Sequence, residues 1–251
     1  MITDADKTIV GVVGAGAMGA GIAQVAAAHG HTVVLADAQP ASIARARSGH
    51  VKALARDVEK GRLTREQADA VLARITYVDG VSPEQLRAFA PCGFVIEAIV
   101  EQLAAKQQLL RALEAIVAPT AILASNTSSL SIAALAGSCT NTERVVGVHF
   151  FNPAPIMPLV EIIPAITTSA AVVADARALA LAFAEHPRVK VTTPEGLRRV
   201  VGKVDLLVLD VPCSNTGVLS RRPEAKYRFN RARVDSVVRL QKEIVEDQRL
   251  M

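Results

Sequence analysis

Gly14-Ala15-Gly16-Ala17-Met18-Gly19 fits the spacing GxGxxG. The segment follows a short apolar run, Thr8–Gly14, and opens an Ala-rich, helix-favouring stretch, Ala17–His29. In that setting Gly14 allows a tight turn, Gly16 lets a pyrophosphate approach the backbone, and Gly19 lets a helix pack close to a strand. The helix N-terminus, opened by Ala17 and Met18, offers free N–H groups and partial positive charge to phosphates. GxGxxG alone is a weak signal. Asp37 strengthens it, because it closes the next strand-like run, His31–Asp37, 23 residues after Gly14. A carboxylate there accepts hydrogen bonds from an adenosine ribose, and its charge opposes a 2′-phosphate, which favours NAD over NADP. The alternative is a tight turn followed by a solvated Asp.

A second set of residues could move protons. Glu97-Ala98-Ile99-Val100-Glu101 ends one apolar run, and Ser125-Asn126-Thr127-Ser128-Ser129-Leu130 ends another. His149 closes a third, and Glu161 follows twelve residues later in the apolar context LVEII. If Pro153, Pro155 and Pro158 make a hairpin-like loop, His149 and Glu161 face each other. An imidazole held by a carboxylate is a general base whose tautomer its partner sets. A lone His at a strand end is more often structural than catalytic. A Glu in an apolar run argues the other way, since a buried carboxylate needs a partner.

These residues must be positioned by alternating elements. Strand-like runs are expected at Thr8–Gly14, His31–Asp37, Phe94–Val100, Ala121–Ser125, Val145–Phe150 and Leu159–Ile163. Helical stretches are expected at Ala17–His29, Pro40–Ile75 with a break near Gly61, Gln102–Val117, Ser131–Ala136 and Ala170–Ala184. Short apolar strands alternating with helices make an α/β fold, a doubly wound, mainly parallel sheet covered on both faces. In such sheets ligands bind outside the carboxyl ends of the strands, which is where Gly14, Glu97 and Ser125 fall.

Composition bounds the rest. The chain has 251 residues, 51% hydrophobic, with 15 Gly and 12 Pro, which excludes a disordered or collagen-like chain. No uncharged apolar stretch of bilayer-spanning length occurs, so no membrane partner is expected. Cys92, Cys139 and Cys213 are odd in number and lack CxxC spacing. This favours a reduced, cytoplasmic setting without a disulfide framework or metal site. Charge divides the chain: residues 1–187 carry 14 Lys and Arg against 16 Asp and Glu, residues 188–251 carry 14 against 8. Two parts are therefore expected, a nucleotide-binding domain over 1–187 and a basic segment over 188–251.

Taken in order, GAGAMGAGIAQ, EAIVE, SNTSSL and HFFNPAPIMPLVEII resemble the NAD-binding domain of the 3-hydroxyacyl-CoA dehydrogenases, including the 3-hydroxybutyryl-CoA dehydrogenases. The resemblance runs from about Thr8 to Pro187. It implies a Rossmann-type domain, NAD as cofactor, an acyl-CoA substrate and the interconversion of 3-hydroxyacyl-CoA and 3-oxoacyl-CoA found in fatty acid β-oxidation. It further implies His149 as catalytic base with Glu161 as partner. Ser128 and Asn152 would lie at substrate and nicotinamide, Asp37, Glu101 and Lys106 around NAD, and Lys60 at the CoA moiety. A second arm position, Ser for CoA in relatives, is Ala53 here.

Family members continue into an all-helical domain that supplies dimer contacts and closes the cleft. This chain departs from that pattern after Pro187, so impaired competence is expected and no oligomeric state is assigned. Asp210-Val211-Pro212-Cys213-Ser214-Asn215-Thr216-Gly217 instead resembles the DxPCSxTG motif of ribosomal RNA cytosine-5 methyltransferases. A strand Val204–Val211, a basic loop Ser214–Asn230 with Arg221 and Arg222, and a helix Val234–Gln248 are expected there, a strand–loop–helix segment in place of the helical domain. The S-adenosylmethionine loop and the Thr-Cys nucleophile of that family are not found, so no methyl transfer is expected. The basic charge could hold RNA non-specifically, but solvated surface charge is the commoner explanation, so no nucleic-acid partner is expected. Cys213 could still be a partly exposed thiol. Two alternatives to the dehydrogenase stand: a chimera that binds NAD without turnover, and a methyltransferase remnant that binds RNA.

Overall fold

The structure, a computed structural model, describes residues 8–157, 159–183 and Arg239. The expected strand Val204–Val211, Cys213 with its motif, and all of the expected helix Val234–Gln248 except Arg239 lie outside the described residues.

Seven strands form one sheet: β1 Val10–Val13, β2 Val33–Asp37, β3 Ile75–Asp79, β4 Phe94–Glu97, β5 Ile122–Ser125, β6 Val145–Phe150 and β7 Val160–Pro164. Their order is β3-β2-β1-β4-β5-β6-β7. All neighbours are parallel except β6 and β7, which run antiparallel. The order reverses between β1 and β4, and that switch point opens a crevice at the strands' carboxyl ends.

The helices are α1 Ala17–Ala28, α2 Pro40–Glu59, α3 Arg65–Ala73, the single turn α4 Pro83–Leu86, α5 Leu103–Glu114, α6 Ile132–Ala136 and α7 Ala170–Phe183. They divide between the two faces of the sheet. Val10, Val12, Leu35 and Ile96 pack on one side with Ile22 of α1 and Ile43 of α2. Val13, Val95 and Leu123 pack on the other with Leu110 and Leu113 of α5 and Leu135 of α6. Burial on both faces explains why these strands read as continuous apolar runs.

One expectation needs correction. Pro40–Ile75 is not helical to its end, because Ile75 opens β3. That strand sits at the sheet edge, with Thr76 and Asp79 exposed, so it lacks the apolar run of an inner strand. The expected break is real. Lys60 caps α2, Gly61 takes φ of 66°, and Thr64 starts α3 with a reciprocal cap shared with Gln67.

Candidate active site

The glycine loop is built by close approaches. Gly14 has φ of 103°, and a Cβ there would lie 2.5 Å from the Ala98 carbonyl oxygen. A Cβ on Gly19 would lie 1.7 Å from the Gly14 carbonyl oxygen, so only Gly lets α1 start this near β1. A Cβ on Gly16 would meet nothing within 4 Å, which leaves the outer side of the loop open. No side chain caps α1 at Gly16, so the first N–H groups of the helix, from Ala17 and Met18 onward, remain available to a ligand.

Asp37 closes β2 beside this loop. One carboxylate oxygen accepts the Ala15 N–H at 2.7 Å and the other accepts the Gln39 N–H at 2.7 Å. Each oxygen retains a lone pair for a further donor. Gly14, Gly16, Met18, Asp37, Ile99 and Val100 contribute to the lining of a cleft of about 730 Å³. An open glycine loop, an uncapped helix start and a carboxylate at the next strand end together fit a dinucleotide.

His149 and Glu161 stand directly opposite each other in the β6–β7 pairing. His149 Nδ1 lies 2.8 Å from Glu161 Oε2, and the imidazole rests against the Phe151 ring at 5.1 Å. Nδ1–H donates to the carboxylate, so Nε2 is the nitrogen left to face a substrate. Burial of Glu161 is not what demands this partner. Its side chain is 52% exposed on the edge strand, whereas that of His149 is 20% exposed. The antiparallel register, reached through the proline-rich turn, brings the two together.

Ser128 is exposed at a smaller cleft of about 340 Å³ that Leu130, Ile132, Ile163 and Ile166 help to line. Asn152 is exposed just after β6, ahead of Pro153, which borders a third hollow beside Gly16, Ala17 and His50. Lys60 is exposed at the far end of α2, and Ala53 is half-buried on the same helix. Neither lines any of these three clefts. Lys106 is 1% exposed and paired with Glu97 and Glu101, so its ammonium does not open onto the dinucleotide cleft.

Burial pushes the Glu101 carboxyl up, but hydrogen bonds from Thr127, then the charge of Lys106 and bonds from Lys106 and Ser129, outweigh it and hold the group below the usual value. Sequence reasoning assigned no role to Asn126. Its side-chain oxygen accepts the Phe150 N–H at 2.8 Å and so ties the loop after β5 to the end of β6 beside His149. An amide side chain directly after a strand end was the available signal.

Comparison with known proteins gives two family matches. The family described as "3-hydroxyacyl-CoA dehydrogenase, NAD binding domain" matches residues 9–192. The family "16S rRNA methyltransferase RsmB/F" matches residues 171–249. The 3-hydroxyadipyl-CoA dehydrogenase of Escherichia coli is 42% identical over 178 residues, 71% of this chain and 36% of that protein. A probable 3-hydroxybutyryl-CoA dehydrogenase of Bacillus subtilis is 42% identical over 67% of this chain and 57% of its own length. Among solved structures, (S)-3-hydroxybutyryl-CoA dehydrogenase from Ralstonia eutropha superposes with a TM-score of 0.67 at 36% identity, covering 71% of this chain and 61% of that one. The chain thus spans between about a third and three fifths of the length of these relatives.

Proposed function

Given that the chain belongs to the 3-hydroxyacyl-CoA dehydrogenase family through its NAD-binding domain, we propose that it interconverts a short-chain 3-hydroxyacyl-CoA and its 3-oxoacyl-CoA with NAD as cofactor. The observation that carries this reading is the His149–Glu161 pair, 2.8 Å apart across β6 and β7. The glycine loop would hold the pyrophosphate, Asp37 the adenosine ribose, and Glu101 with Asn152 the nicotinamide end. Bound NAD supplies the acceptor for the hydride that leaves C3 of the substrate. His149 Nε2 takes the proton of the 3-hydroxyl. Glu161 stabilises the resulting imidazolium, and Ser128 places the reacting oxygen. In reduction, the imidazolium returns the proton to the new alkoxide. Lys106 supports Glu101 from below, and Lys60 would meet the CoA moiety. We assign this activity to a domain ending near residue 187, in a reduced cytoplasmic setting. Among the described residues no helix is long and apolar enough to cross a membrane.

Acetoacetyl-CoA and NADH test the proposal. NADH absorbance should fall with the wild-type chain and stay constant with His149→Gln. NADH affinity should remain within about threefold, since the base acts on substrate rather than cofactor. Glu161→Gln should slow turnover less than loss of the base does. Undiminished turnover in His149→Gln would remove His149 from the mechanism.

A further inference from the structure

A buried polar cluster lies behind the loop that carries Ser128. Glu97, at the end of β4, is 0% exposed, and Lys106 of α5 is 1% exposed. The Lys106 ammonium donates to both Glu97 oxygens, at 3.0 and 2.8 Å, and lies 3.3 Å from Glu101 Oε2. Glu97 also accepts the Ser125 hydroxyl and, at 3.2 Å, the Ile99 N–H. Burying such a pair returns little stability, but with every donor satisfied it holds its members in one arrangement.

The cluster continues outward to the loop. Glu101 accepts the Thr127 hydroxyl and, at 3.1 Å, the Ser129 hydroxyl. Thr127 Oγ1 accepts the Ser129 N–H at 3.3 Å and the Leu130 N–H at 2.9 Å, and Ser125 Oγ accepts the Thr127 N–H at 3.3 Å. Both neighbours of Ser128 therefore hang from Glu101, and the strand end before them hangs from Glu97.

We propose that Glu97 is a positioning residue for this site: through Lys106 it fixes Glu101, and through Glu101 and Ser125 it fixes the loop that presents Ser128. The inference rests on the reading of Ser128 as the group that places the reacting oxygen. Its physics is a competition for one ammonium. Glu97 takes Lys106 on two oxygens and keeps it below Glu101. Without the Glu97 charge, Lys106 turns to its one remaining carboxylate and draws Glu101 away from Thr127 and Ser129. The loop then loses its tether although every element of the sheet is intact.

Glu97→Gln keeps the side-chain shape and removes the charge. Hydrogen–deuterium exchange of the Ser129 and Leu130 amides reads the tether, with the β1 amides as internal reference. In Glu97→Gln, loop protection should fall about tenfold with β1 unchanged. The kcat for acetoacetyl-CoA reduction should drop about ten- to a hundredfold. Unchanged loop protection, or an equal loss across loop and sheet, overturns the proposal. If Glu97→Gln does not fold, Ser125→Ala takes its place and should loosen the same two amides by a smaller factor; unchanged exchange there also overturns it. Absence of turnover in the wild-type chain would instead count against the dehydrogenase reading, while the exchange measurement still decides whether Glu97 holds the loop.

Discussion

Asp37 does two things at the scale of a single side chain. It anchors the glycine loop through the Ala15 N–H at 2.7 Å, and in the proposed NAD site its remaining lone pairs would take the ribose. Asp37→Ala should therefore weaken NAD binding and also erase the preference over NADP, because the charge that opposes a 2′-phosphate is gone. Calorimetric titration of both cofactors checks this; an undiminished preference for NAD would end the ribose assignment. Cysteine behaves in the opposite manner. Burial pushes the Cys92 thiol up to about 12, and burial raises that of Cys139, followed by the charge of Glu114. Neither should react with iodoacetamide in the native protein at neutral pH, as peptide mass mapping would show.

At the scale of elements, His50 joins α1, α2 and β3. Its Nε2–H donates to the Ala20 carbonyl at 2.9 Å, and Nδ1 accepts the Tyr77 hydroxyl at 2.7 Å. Both bonds suit the neutral ring. Burial lowers its pKa from the usual 6.5, against a smaller raising effect of the Ala20 carbonyl. The unfolded chain then binds the proton more readily. The contribution of His50 is fully present above pH 6.5 and is lost as the pH falls toward the lowered value. Urea midpoints should fall between pH 7 and pH 5, and His50→Gln should show a flatter dependence over the same range. Close packing of α1 on β1 yields a second expectation at this scale. Gly19→Ala would place a Cβ 1.7 Å from the Gly14 carbonyl oxygen, so the loop must shift and NAD affinity should drop at least about tenfold. Affinity equal to wild type would show that the loop gives way freely.

For the whole molecule, exposure sets the expectation for turnover. The Glu161 side chain is 52% exposed and Ser128 is exposed, so water reaches both groups of the proposed catalytic site. A wet, loosely held site can lose about a hundredfold or more in rate. The 251 residues assayed by themselves should bind NAD measurably and turn over acetoacetyl-CoA well below the rate of the longer relatives. Full-speed reduction would show that the exposed site suffices. The segment shared by both family matches begins in α7, whose described part packs on the sheet: Phe183 lies 5.5 Å from the His31 ring and 6.1 Å from that of Phe150. α7 thus packs on the same face of the sheet as α1 and α2. Incubation with ribosomal RNA and radiolabelled S-adenosylmethionine should give no methyl incorporation, since the Thr-Cys nucleophile of that family is not found in the sequence.

Periodicity and motif spacing by themselves determined the inner strands, most helices and the glycine loop with Asp37, and set His149 opposite Glu161 on the condition that the prolines between them form a hairpin-like turn. Those signals are local. An apolar run marks a strand buried on both faces, and a proline-rich turn of known length brings two strand ends together. Only the tertiary structure decided the rest. β3 was invisible because an edge strand buries one face incompletely and carries Thr76 and Asp79 into solvent. Lys106 could be placed near a cofactor by resemblance, yet its burial against Glu97, nine residues earlier in the chain, depends on how α5 packs against the end of β4. The exposure of Glu161 likewise follows from the place of β7 at the edge of the sheet, which no run of apolar neighbours in LVEII reveals. Chain order states which groups exist and how they are spaced; which of them face water is a property of the packed sheet.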